Sequence, residues 1–201
     1  MGAATQISTS LYLKMANNVE AAFRNIHQDL LDGCKTGDQK AQFQIYKLYY
    51  KAMYNTSLRI VNDAMEAEDV MQESFLSAFE KIDTYSGTVS FGAWLKKIVI
   101  NRSLDALSRR KAIFEDIDFH VGIRDDSNED LLRKEEVDIM VEEVKEAIRR
   151  LPDGYRIILS LYLLEGYDHD EIAEILSISS STSRSQLSRA KQKLIAELKK
   201  K

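Results

Sequence analysis

The chain has 201 residues, a net charge of −4, and 44% hydrophobic against 30% charged residues, the composition of a folded protein of one large or two small domains and not of a disordered or fibrous one. No apolar run approaches the ~18 residues of a membrane span, Met1 to Ser10 lacks the basic start and apolar stretch of a signal peptide, and the single Cys34 leaves no internal disulfide, so a cytoplasmic protein without membrane insertion is expected. His27, His120 and His169 are scattered, and no Gly-rich phosphate loop or paired nucleophile and base stands out, so no cofactor, metal or catalytic activity is expected.

Strand signals are weak and helical periodicity is strong, which predicts an all-α protein of two helical domains joined by an acidic linker. Residues 1–18 read as a flexible N-terminal extension. A helix is predicted from Val19 to Cys34, with Ala22, Phe23, Ile26, Leu30 and Leu31 on its apolar side, and Gly33 and Gly37 bracket a break. A second helix covers Asp38 to Val61 and carries Phe43, Tyr46, Tyr49, Tyr50 and Tyr54; at helical spacing the tyrosine cluster 46–54 reads as core before it reads as a stacking surface for bases. Asn62-Asp63 starts a third helix reaching Ile82, with Ala64, Ala67, Met71, Phe75, Ala78 and Ile82 facing inward. Its opposite side is an acidic stripe of Glu66, Asp69, Glu73 and Glu80 with Leu76 inside it. A loop centred on Gly87 leads to a fourth helix, Phe91 to Lys111, and the four helices of 19–111 are expected to share one core.

Charge is segregated beyond that point. Residues 96–111 hold Lys96, Lys97, Arg102, Arg109, Arg110 and Lys111 against Asp105 alone, residues 115–146 are strongly acidic, and 180–201 are basic again. Residues 112–136 have little periodicity and read as the linker. In 137–201 a helix ends at Leu151, Pro152-Asp153-Gly154 forms a turn, and a helix with Ile157, Ile158, Leu161 and Leu164 runs to Gly166. Asp168 and Glu171 have the spacing of a capping box for a short helix through Leu176. Ser177-Ile178-Ser179 is a turn, and a basic helix runs from Ser180 to Leu198.

A short helix, a tight turn and a basic helix make a helix-turn-helix that reads DNA. At about 100° per residue, Leu187, Ala190, Leu194 and Leu198 fall on one side of the last helix, Thr182, Ser185, Arg189, Gln192 and Lys193 on the other, and Arg184 and Lys191 on the flanks. Hydroxyl, amide and guanidinium groups facing outward suit base edges and phosphates of a major groove.

The chain resembles sigma factors of the sigma-70 family, within it the extracytoplasmic-function group. In the C-terminal half the resemblance rests on Leu151-Pro152-Asp153-Gly154-Tyr155-Arg156, Glu165-Gly166-Tyr167, Glu171-Ile172-Ala173 and Ser183-Arg184-Ser185-Gln186-Leu187-Ser188-Arg189-Ala190, similar to region 4, which reads the −35 promoter element. In the N-terminal half Glu66-Ala67-Glu68-Asp69-Val70-Met71-Gln72-Glu73-Ser74-Phe75 resembles the region 2 helix that binds the polymerase β′ clamp helices. Ser90-Phe91-Gly92-Ala93-Trp94-Leu95 and Asn101-Arg102-Ser103-Leu104-Asp105 resemble the segment that engages the −10 element. The chain departs from the pattern at Ser183, usually a β-branched apolar residue, and at Gly92, where many members carry a basic one.

The resemblance implies an alternative sigma factor that binds core RNA polymerase through the β′ clamp helices and β flap, recognises promoter DNA, melts the −10 element, and is held by an anti-sigma factor. Glu66, Asp69, Gln72, Glu73 and Leu76 are the expected polymerase contacts. Tyr85, Ser86, Thr88 and Ser90 are expected at an unstacked −10 base, with Lys96, Lys97, Arg109, Arg110 and Lys111 on phosphates. Thr182, Arg184, Ser185, Gln186, Arg189 and Lys193 are expected at the −35 element. Trp94 reads as core or as a stacking ring, and Asn101 and Asp105 as local hydrogen-bonding groups, Asp105 with Arg109, or as base readers. The competing reading is a free-standing helix-turn-helix transcriptional regulator with an N-terminal sensor.

Overall fold

A computed structural model describes residues 27–113 and 134–199, with side chains over 27–110 and 141–199. The predicted extension 1–18, the stretch 19–26 with Ala22, Phe23 and Ile26, most of the predicted linker, Lys200, Lys201 and the side chain of Lys111 lie outside the described residues.

Among the described residues there are eight α-helices and no strand: α1 Gln28–Lys35, α2 Gln39–Val61, α3 Ala64–Glu80, α4 Phe91–Ile113, α5 Lys134–Arg149, α6 Asp153–Leu159, α7 His169–Leu176 and α8 Ser180–Leu198. A 3-10 turn, Ile82–Thr84, follows α3, and a π turn, Ser160–Leu164, extends α6. Local chemistry sets most boundaries. Side-chain oxygens at the N-caps accept from otherwise unpaired backbone N–H groups: Asp38 for α2, Asp63 for α3, Asp168 for α7 and Ser179 for α8. The capping box of Asp168 and Glu171 forms as the spacing predicts. Gly166, at φ +80°, and Ser177, at φ 54°, turn the chain into and out of α7.

Several boundaries differ from the sequence reading. α4 runs on to Ile113 and α5 begins at Lys134, so the edges of the predicted linker are helical; Glu and Lys are good helix formers even where acid is dense. Asp153 and Gly154 are not a free turn but the start of α6. Pro152, at φ −52°, sets the entry, and its carbonyl accepts from Tyr155 and Arg156 N–H.

The helices bury two clusters. The first joins α1 to α4 through Leu31, Ile45, Met53, Met71, Phe75, Ile82, Phe91 and Leu95. Tyr46, Tyr49, Tyr50 and Tyr54 are half-buried against it, Tyr46 edge-on to Phe75 at 4.9 Å between ring centroids. Ala67, Met71, Phe75, Ala78 and Ile82 face inward as expected, but Ala64 is exposed, because as the first residue of α3 it lies beyond the edge of the core.

The second cluster holds Ile148, Leu151, Ile157, Ile158, Leu161, Ile172, Leu187 and Leu194 of the C-terminal half, together with Ile60, Ile100 and Leu107 of α2 and α4. The far ends of α2 and α4 thus leave the first core and enter the second. Burying an aliphatic side chain of this size is worth about 2 kcal/mol, so the two halves share an apolar seam in addition to the polar contacts described below.

Candidate nucleic-acid and partner interfaces

The outward side of α3 is built by the same periodicity that buries its other side. Asp69, Gln72, Glu73 and Glu80 are exposed, and Leu76 stands among them 64% exposed. Two carboxylates of this surface reach α4: Glu73 accepts from Arg102 at 2.9 Å and Glu66, half-buried, from Arg110 at 3.0 Å. Gln72 donates to Glu68 within the helix at 3.3 Å. Asp69, Glu80 and Leu76 are the residues of the stripe without a salt bridge among the described residues.

The loop before α4 divides into a buried and an exposed half. Tyr85 is buried, its ring against Phe91 and Trp94, and its hydroxyl donates to the Val89 carbonyl at 2.6 Å. This corrects the expectation that its ring meets a base: the ring belongs to the core and ties the loop down. Trp94 is half-buried against Tyr85 and Phe91. Ser90 accepts from Ala93 N–H at 3.3 Å at the start of α4. Ser86 and Thr88 remain exposed and hydrogen-bond each other at 3.0 Å, beside Val89, an exposed apolar residue that the sequence reading passed over. Gly92 has a steric reason: a Cβ there would lie 3.0 Å from the Tyr49 ring.

The cations of α4 are mostly engaged. Lys96 meets Glu165 at 2.8 Å, Lys97 meets Glu174 at 2.8 Å, and Arg102 and Arg110 take Glu73 and Glu66. Arg110 also donates to the Val61 carbonyl at 3.1 Å. Arg109 reaches the backbone oxygen of Asp105 at 3.4 Å rather than its carboxylate, and Asn101 and Asp105 are exposed. The Lys97 ammonium, by hydrogen bond and by charge, holds the Glu174 carboxyl below the usual carboxylate range.

In the helix-turn-helix, α8 buries Ser183, Leu187, Ala190 and Leu194 and leaves Arg184, Ser185 and Arg189 exposed, with Thr182, Gln186 and Lys193 at intermediate depth. Ser185 and Thr182 are partly used by the turn: Ser185 donates to the Thr182 carbonyl at 3.0 Å, and Thr182 hydrogen-bonds Ser179 at 2.8 Å. Lys191 lies over the Tyr162 ring, 5.5 Å from its centroid. Ser183 is fully buried, but its hydroxyl pairs with His169 Nδ1 at 2.9 Å, and the imidazole stacks on Tyr162. The polar residue at that core position is therefore satisfied and joins the two helices of the motif.

Comparison with known proteins agrees with this geometry. Residues 45–113 match Sigma-70 region 2 and residues 141–194 match Sigma-70, region 4. The ECF RNA polymerase sigma-E factor of Haemophilus influenzae is 30% identical over 176 residues, covering 82% of this chain and 91% of that protein. The chain belongs to the sigma-70 family, in its extracytoplasmic-function group. The RNA polymerase sigma-H factor of Pseudomonas aeruginosa is 29% identical over 82% of this chain and 90% of its own length. In fold, the sigma factor RpoE of Bartonella quintana, solved in complex with the anti-sigma factor NepR, is similar with a TM-score of 0.54 at 22% identity, over 78% of this chain and 95% of that one.

Sequence reasoning missed Arg59, Arg156 and Glu165 of this sigma factor as interacting residues. Glu165 and Arg156 stand inside its region 4 motifs, but nothing in their local pattern points to α2 or α4, where their partners lie.

Proposed function

We propose that the exposed side of α3 docks on the β′ clamp helices of core RNA polymerase, with Asp69, Glu73 and Leu76 as its centre and Glu66 and Gln72 at its margin. The chain is an alternative sigma factor, so its work is to bind core polymerase and direct promoter recognition and initiation. The observation that carries the α3 assignment is Leu76, 64% exposed among carboxylates. An apolar centre ringed by one sign of charge suits a partner with basic side chains around a hydrophobic patch. In the same reading Ser86, Thr88 and Ser90 flank an unstacked −10 base, and Lys96, Lys97, Arg109, Arg110 and Lys111 hold phosphates. Thr182, Arg184, Ser185, Gln186, Arg189 and Lys193 meet the −35 element, and the region 4 half contacts the β flap.

An anti-sigma factor is a further partner in this reading, supported by the complex in which the Bartonella protein was solved. The test of the polymerase surface is Asp69→Arg with Glu73→Arg. Like charges facing each other across an interface cost several kcal/mol, so holoenzyme assembly and run-off transcription should collapse while helicity is unchanged. Normal assembly by the double variant would show the stripe to be a solvated surface only.

A further inference from the structure

A cavity of about 210 Å³ opens where α2 meets α5 and the π turn that extends α6. None of the residues assigned above to promoter DNA or to polymerase lines it. Leu58, Ile148 and Leu164 give it an apolar wall, and Arg59, Lys145 and Arg149 bring cations to it. A further cation, Arg156, is spent on Asp153 and on backbone carbonyls, and Glu142 is held by Lys145 at 2.6 Å. The carboxylates that meet Arg59 and Arg149 are both shared: Glu165 also takes Lys96, and Glu146 also takes Arg150 at 3.8 Å. Each carboxylate is thus outnumbered by cations. A guanidinium has five N–H donors. Among the described residues Arg59 and Arg149 each spend one, on Glu165 at 2.5 Å and on Glu146 at 3.3 Å.

The second observation is Ser160. It is 1% exposed, it lines the cavity, and its hydroxyl has no hydrogen-bond partner among the described residues. Other buried serines of the chain return the hydroxyl to the carbonyl four residues back: Ser74 to Val70 at 2.6 Å and Ser103 to Val99 at 2.7 Å. Ser160 does not, and it stands at the first residue of the π turn Ser160–Leu164, a rare geometry that recurs at functional sites. A buried hydroxyl without a partner destabilises the fold that holds it, and an acceptor in the cavity would satisfy it.

We propose that this cavity binds a small phosphate monoester. Its phosphate meets the Ser160 hydroxyl and the unspent donors of Arg59 and Arg149, and its organic part lies on Leu58, Ile148 and Leu164. A phosphate monoester carries a charge of about −1.5 to −2 at neutral pH and three strong acceptor oxygens. That suits an excess of cations with several donors to spare better than the single charge of a carboxylate does. The apolar wall calls for an organic substituent, which inorganic phosphate lacks.

Calorimetric titration of the full chain with phenyl phosphate tests this, with inorganic phosphate and benzoate for comparison. Phenyl phosphate should bind one site per chain. Each of the other two should bind at least about tenfold more weakly, since each lacks one part of the match. Ser160→Ala should weaken phenyl phosphate about tenfold, the effect of one hydrogen bond to a charged group. The same substitution should raise the thermal midpoint of the unliganded chain, because the orphaned hydroxyl is gone. A variant that is more stable yet binds less separates a ligand donor from a packing role. Arg149→Gln should also weaken binding about tenfold, with helicity unchanged. No one-site binding at millimolar phenyl phosphate would overturn the proposal. So would equal affinity in Ser160→Ala, which would put the anion on exposed cations such as those of α8. Equal affinity for benzoate or for inorganic phosphate would overturn the monoester class.

Discussion

α4 and α8 are both long basic helices, and both are assigned to DNA, yet they present their charge in opposite ways. On α4 four cations, Lys96, Lys97, Arg102 and Arg110, are in salt bridges. On α8, among the described residues, Arg184, Arg189 and Lys193 have no salt bridge, and Lys191 rests on an aromatic ring. The cause is position. α4 runs between the acidic surface of α3 and the carboxylates of the region 4 half, whereas α8 packs on one side only. A count of positive residues therefore measures what a helix can offer to phosphates, and its neighbours decide what it offers in a given state.

The strongest way to break this contrast is to remove the anchor that brings the region 4 half against α2 and α4. Arg156→Ala strips the donor from the carbonyls of Arg59, Ile60 and Leu151 and removes the ion pair with Asp153. Losing one member of a buried ionic set costs about 3–5 kcal/mol, so urea unfolding should shift by that amount. A shift well under 1 kcal/mol would mean that the seam is apolar in origin.

On the α8 side, Arg189→Ala should flatten the preference among −35 variants by about 1–3 kcal/mol, the discrimination carried by a base-reading side chain. Arg184→Ala, on the flank, should weaken all sequences alike and lessen the salt dependence. Transcription by holoenzyme across all single-base −35 variants separates the two, and a uniform loss for Arg189→Ala would make it a phosphate contact. Asp168→Ala removes the cap of α7 and should cost about 1 kcal/mol of stability. It should lower −35 binding without changing core-polymerase affinity in a pull-down titration.

The smallest effect is one of pH. Lys97 lowers the Glu174 carboxyl below its ordinary range, so this contact is fully present at neutral pH and is lost as pH falls through the lowered value. The Glu174 resonance should titrate at lower pH in wild type than in Lys97→Ala. Both groups are exposed, so the bridge adds little to stability in salt. Equal titration in the two proteins would show that Lys97 does not hold Glu174 in solution.

The sequence by itself determined the all-α class, the helix starts near Asp38 and Asp63, the cap at Asp168, the turn at Ser177 and the outward face of α8. It also carried the family, because region 2 and region 4 motifs are continuous stretches of chain. These features depend on atoms within about one helical turn, where spacing alone fixes neighbours. The tertiary structure decided the rest. Tyr85 looked like a loop residue, but Phe91 and Trp94 close over it. Ser183 looked like a loose fit until His169, fourteen residues away, met its hydroxyl. Glu165 read as the end of a helix, yet the hydroxyl of Thr56 that completes its site is 109 residues distant. No local period encodes such a pairing; it exists only because folding brings α2, α4 and the region 4 half into one low-water seam, where an unpaired charge is too costly to leave.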